Sequence, residues 1–130
     1  MKGINKVKIS NYKDLEIWKQ GIEIVDHIYV ITQNYPKTEQ YGLCSQMQRS
    51  AVSIPSNIAE GFSRYHTKEY IKYLYIALGS CAELETQVII SNRRKFIIEA
   101  TFDKLQRMIN QESKMIMGLI QSLKNHIPSS

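Results

Sequence analysis

A chain of 130 residues is long enough to bury one hydrophobic core, and its 43% hydrophobic residues supply one. Six glycines and three prolines are few for a turn-rich sheet protein, so an all-helical chain is expected. The formal net charge of +5 favours anionic partners, the two cysteines are too far apart to build a zinc site alone, and no uncharged apolar run approaches the ~20 residues of a membrane span.

Residues 1–10 form a basic arm in which Ile4, Val7 and Ile9 are interleaved with Lys2, Lys6 and Lys8. That pattern is compatible with an extended, docked segment and equally with a disordered one. It contains no apolar stretch long enough for a signal peptide, so a soluble, cytoplasmic protein with reduced thiols at Cys44 and Cys81 is expected. A first helix should open near Asn11, an N-cap residue, with Asp14 favouring the positive helix end. Leu15, Trp18, Ile22, Val25 and Tyr29 then recur in steps of three and four, and Ile17, Ile24, Ile28 and Ile31 widen the stripe. So broad an apolar surface predicts two helical neighbours, or a further contact with another subunit. Asn34-Tyr35-Pro36 ends it, because proline disfavours helix at the preceding residue.

A second helix can run from Thr38 to Gly61, a C-cap candidate. After a short polar connection, a third opens at Thr67, an N-cap residue, and carries Tyr70, Leu74, Ala77, Cys81, Leu84 and Val88 at heptad spacing. That regularity predicts near-antiparallel bundle packing. Asn92-Arg93-Arg94-Lys95 closes it with cations at the negative helix end. The fourth helix opens near Thr101, with Phe102, Leu105, Ile109, Ile116, Leu119 and Leu123 on one face. Glu112 falls in the same register, which marks either an interior ion pair or a slight rotation of the helix. Residues 128–130 are a tail. The expected architecture is all-α, a single domain over residues 1–130 folded as an antiparallel up-down-up-down four-helix bundle.

The second helix carries two chemically different stripes. Leu43, Met47, Ala51, Ile54 and Ile58 make an apolar face; Gln46, Arg49, Ser53, Asn57 and Glu60 make a polar one, roughly 110 to 120° away. On the third helix, Ser80, Glu83 and Gln87 form a similar polar row. Two arrangements are compatible with these rows. They face each other as a network with Arg49 paired to Glu60 or Glu83, or both face water. Pro55 removes one helical hydrogen bond and is expected to bend or loosen its helix, with Ser53 and Ser56 available to satisfy freed backbone groups. Gly79-Ser80 would let the second and third helices approach closely.

The run Gln46-Met47-Gln48-Arg49-Ser50-Ala51-Val52-Ser53-Ile54-Pro55-Ser56-Asn57-Ile58-Ala59-Glu60-Gly61 resembles the signature of the bacterial four-helix-bundle family named for the 23S rRNA intervening sequence. Tyr12-Lys13-Asp14-Leu15 with Trp18, Tyr35-Pro36, Tyr41-Gly42-Leu43, Ile76-Ala77-Leu78-Gly79-Ser80 and Glu83-Leu84-Glu85-Thr86 extend the likeness over most of the chain. Gln48 departs from it where the family often has a basic residue, and Gly21 where alanine is usual. The resemblance implies antiparallel four-helix bundles assembled as ring-shaped homopentamers. A related group, the accessory variability proteins of diversity-generating retroelements, binds nucleic acid and a reverse transcriptase.

The expected function is a non-catalytic homo-oligomeric bundle that binds RNA or serves as an assembly module. The alternative is a structural oligomer that binds a protein partner without touching nucleic acid. Candidate phosphate contacts are Lys13, Arg64, Lys68, Lys72, Arg93, Arg94, Lys95, Lys104 and Arg107, with the arm lysines and His66 beside them. Tyr65, Tyr70 and Tyr73 are candidates for stacking on unpaired bases where exposed, although Tyr70 also fits the core. The structural polar network comprises Gln46, Arg49, Ser53, Asn57, Glu60, Ser80 and Glu83. No catalytic residue, metal or cofactor is expected. None of His27, His66 and His126 has a glutamate three residues before it, and no phosphate-binding loop or nucleophile elbow is present.

Overall fold

A computed structural model of the chain describes residues 9–127. The arm lysines Lys2, Lys6 and Lys8 and the tail at 128–130 lie outside the described residues. Four α-helices follow in order: α1 (Glu16–Thr32), α2 (Leu43–Phe62), α3 (Thr67–Arg93) and α4 (Glu99–Lys124). Short 3-10 turns at Tyr12–Asp14 and Lys37–Glu39 precede α1 and α2. Each helix packs against its two neighbours in a closed ring, α1 on α2, α2 on α3, α3 on α4 and α4 back on α1.

Side-chain pairings give the helix directions. Along α2, Met47, Ser53 and Gly61 meet Ser91, Ser80 and Tyr73 of α3 in reverse order. Gln48 and Pro55 of α2 meet Thr32 and Gly21 of α1, again reversed. On α3 and α4, Tyr75 bonds Lys124 while Cys81 lies beside Glu112 and Ser113. Successive helices therefore run antiparallel, as the heptad spacing predicted.

The helix starts differ from expectation for local reasons. Asn11 does cap a helical turn, accepting from the Lys13 N–H at 2.9 Å, but that turn is the 3-10 piece, and α1 proper begins after Leu15. Thr67 is the first residue of α3 rather than its cap, a place taken by His66. The first helix is also rotated relative to its expected stripe. Ile17, Gly21, Ile24, Ile28 and Thr32 are its buried face, while Trp18 and Val25 are half-buried and Tyr29 is exposed. Buried Thr32 loses nothing, because its hydroxyl donates to the Ile28 carbonyl and accepts from the Gln48 amide.

Helix α2 continues through Pro55 to Phe62, so Gly61 is not a cap. Gly61 is instead the point of closest approach to α3. A Cβ there would lie 2.7 Å from the Tyr73 Cβ and 3.1 Å from the Tyr70 ring. Gly79, expected to serve that purpose, faces open space with nothing within 4 Å. Helix α3 ends on Lys95, whose φ of 62° is left-handed. Its N–H returns to the Asn92 carbonyl and that of Phe96 to the Ser91 carbonyl, at 3.0 and 2.9 Å. These are the two bonds of a Schellman closure, usually built on glycine.

Glu112 faces the bundle interior with no exposed surface, and among the described residues neither carboxyl oxygen has a hydrogen-bond partner. The expected alternatives, an ion pair or a rotated helix, are not what the structure shows: the helix points Glu112 inward, and among the described residues no cation meets it. Its Oε2 lies 3.3 Å from where a Cβ on Gly21 would sit, as do the Cβ and Cδ of Pro55. The missing methyl at position 21 thus leaves the space beside the carboxyl that alanine would crowd. Burial pushes the Glu112 carboxyl up to about 8.

Candidate nucleic-acid interface

The antiparallel arrangement divides the candidate cations between the two ends of the bundle. Lys13, Arg64, Lys68 and Lys72 gather where α1 begins and α2 meets α3; Arg93, Arg94 and Lys95 close α3 at the other end, near the start of α4 with Lys104 and Arg107. Lys68 and Arg93 are separated by roughly 37 Å along α3. No single patch holds all nine. Arg64 is already engaged, with one nitrogen 2.6 Å from the Glu60 carboxylate and 2.8 Å from the Tyr73 hydroxyl, and its guanidinium over the Tyr73 ring. Among the described residues, Lys68, Lys72, Arg93, Arg94, Lys95, Lys104 and Arg107 are exposed and make no ion pair within 4.0 Å.

The anticipated stacking residues fare differently from one another. Tyr70 packs edge-on to Phe62, and burial drives its phenol up to about 12. Tyr73 is occupied by Arg64. Only Tyr65 is fully exposed.

Part of the polar network forms. The Asn57 amide donates to the carbonyl and hydroxyl of Ser53, at 2.8 and 2.9 Å, and the Ser80 hydroxyl bonds that of Ser53 at 2.8 Å across the helix interface. Gln46, Arg49 and Glu83 do not join it. They line an open cleft of about 380 Å³ between α2 and α3 with Ser50, Ser53 and Gln87. Arg49 pairs with neither Glu60 nor Glu83, because Glu60 lies three turns away on the same helix and is held by Arg64.

At the opposite end from Arg64, the connection from α1 to α2 folds over a larger cleft of about 540 Å³. Tyr29, Tyr41, Lys37 and the amides of Gln33, Gln40 and Gln48 line it, and Tyr35 belongs to the same wall. Tyr35 is buried and packs against Phe96 in a tilted contact, with ring centroids 5.2 Å apart. The cleft thereby adjoins the turn that carries Arg93, Arg94 and Lys95. Sequence periodicity did not single out this site, since Tyr29 read as part of an apolar stripe and Tyr41 as part of a second helix expected from Thr38, whereas α2 begins only at Leu43. The only available signal was three tyrosines within thirteen positions around a proline.

A family model described as 23S rRNA-intervening sequence protein matches residues 13–118. The chain belongs to that family. Its fold is also that of a crystal structure from Bacteroides thetaiotaomicron, described as a protein of unknown function from the S23 ribosomal protein family. The two share a TM-score of 0.74 at 20% identity, over 80% of this chain and 97% of that one. No curated protein matches the chain. Neither the family nor the structural relative indicates a catalytic class, and no helix of the described residues is long and apolar enough to cross a membrane.

Proposed function

We propose that this member of the 23S rRNA-intervening sequence protein family is a non-catalytic, homo-oligomeric bundle that binds RNA through its phosphates. The observation that carries the reading is the Arg93-Arg94-Lys95 turn. Three consecutive exposed cations, none in an ion pair, sit on a closure whose backbone is held by two hydrogen bonds. Fixed cations without internal partners lose little on meeting phosphate, and each contact releases condensed counterions. In a ring of identical subunits the turn is repeated around the axis, so modest single-site attraction is multiplied.

Mobility shifts with a labelled stem-loop RNA between 50 and 200 mM salt test this. Binding should weaken steeply with salt, and replacing Arg93, Arg94 and Lys95 together by alanine should reduce the logarithmic salt slope by about 2 units. Salt-independent retention, or an unchanged slope in the triple variant, would overturn the proposal.

A second reading rests on apolar exposure. Ile76 and Ile90, both about two-fifths exposed on the outward face of α3, suit a protein contact. A stable oligomer that retains no RNA at low salt would favour a structural module with a protein partner.

A further inference from the structure

The floor of the cleft at the α1–α2 connection is core, formed by Tyr35, Cys44 and Thr32, but its rim is exposed and its composition is unusual. Tyr41 is 91% exposed and Tyr29 44%, so two aromatic rings stand in water beside one another's cleft wall without a structural purpose that requires them. At about 540 Å³ the space falls within the range that holds small ligands. Three glutamine amides line it, each offering a donor and an acceptor, and Gln48 is oriented by its bond to the Thr32 hydroxyl at 3.1 Å. Lys37 is the only charged side chain in the lining, although the Glu39 carboxylate of the same turn lies near enough to Cys44 to raise its thiol.

Each feature selects against some ligands. A lipid chain needs an apolar lining, which the glutamines deny. An acidic peptide needs several cations inside the cleft, where there is one. A nucleobase meets all the conditions: a flat π-face for tyrosine, mixed donors and acceptors along its edge for amides, and a single anionic phosphate per residue. Through the Tyr35–Phe96 ring contact the cleft also adjoins the Arg93-Arg94-Lys95 turn, where neighbouring phosphates of the same strand can rest.

We propose that this cleft captures one unpaired base of single-stranded RNA. The base stacks on Tyr41 with Tyr29 as the second wall, the glutamine amides meet its edge, and Lys37 holds its phosphate. The inference rests on the RNA-binding reading and sharpens it: the basic turn supplies attraction to any RNA, and the cleft supplies preference for unpaired strands.

The probe is a short single-stranded RNA carrying 2-aminopurine, compared with a fully paired duplex of the same length. Stacking on tyrosine should quench the fluorophore. Tyr41→Ala should weaken single-strand binding about tenfold and remove the quench, while duplex binding stays unchanged. Tyr41→Phe, which keeps the ring, should behave as the parent protein. Because Tyr41 is exposed, its removal leaves the fold intact, which circular dichroism checks. If Tyr41→Ala binds the strand with unaltered affinity and quench, the cleft is not a base site, although salt-dependent duplex binding would keep the basic turn standing. If Tyr41→Ala leaves RNA binding alone and instead splits the oligomer or releases a protein, the cleft is a protein contact and the proposal fails. If neither RNA is bound at low salt, both readings fall.

Discussion

Gly61 and Gly79 look alike in the sequence, one at a helix end and one beside a heptad, yet their surroundings are opposite. A methyl on Gly61 meets the Tyr73 Cβ at 2.7 Å, inside van der Waals contact with an atom fixed to its backbone. Gly61→Ala should therefore force α2 and α3 apart and cost about 2 kcal/mol, whereas Gly79→Ala should stabilise by up to ~1 kcal/mol through helix propensity alone. Urea midpoints of the two variants check this. Glu112 carries a different liability. Its folded pKa is raised from an ordinary 4.5 to about 8 by burial, so between those values the folded protein keeps a proton the unfolded chain has released. The stability it contributes is full below pH 4.5 and falls as pH rises through this window. Cys81, the ionisable group beside it, adds no charge there, since burial pushes its thiol to about 12. Glu112→Gln removes the proton equilibrium, so the variant should gain on the order of 3 kcal/mol relative to the parent between pH 5 and pH 8. Equal pH profiles for the two proteins would contradict it.

Among the elements, the end of α3 shows a conflict between local preference and charge. A left-handed residue at a Schellman closure is most comfortable as glycine, and a β-carbon there costs on the order of 1 kcal/mol. Lys95 bears that cost in the middle of a basic run. Lys95→Gly should raise the thermal midpoint by a few degrees while weakening RNA binding, a combination that a purely structural lysine would not produce. Helix α2 illustrates the opposite case, in which a local rule is overridden. Pro55 removes a hydrogen bond but the helix continues, with Pro55 packed against Gly21 and the Asn57–Ser53–Ser80 bonds locking the next turn to α3.

For the whole molecule, the ring of four helix contacts leaves apolar groups on the outside that monomer packing does not use. Val30 on α1 and Ile76 and Ile90 on α3 are exposed, while Trp18 and Val25 are covered only in part. Burial of such groups between copies follows from the proposed assembly, and light scattering should return about five times the monomer mass. Ile76→Lys, on an exposed position, should lower that mass without loss of helical content. A monomeric parent protein would remove assembly from the proposal, along with the multiplication of the basic turn.

Helix number, antiparallel pairing and most of the core were legible in the sequence, because steps of three and four mark a buried face within a single segment. Leu74, Ala77, Cys81, Leu84 and Val88 are buried as their heptad spacing required. What periodicity could not supply was the rotation of α1, the partner of Glu60, the partnerless burial of Glu112 and the choice of Gly61 over Gly79. Each depends on which atoms from distant segments share one space. The tyrosine cleft belongs with these: its walls come from two helices and a turn, and its link to the basic run exists only because Phe96 folds back onto Tyr35. Local repetition determined the helices, and contact between segments remote in sequence decided which side chains share one space.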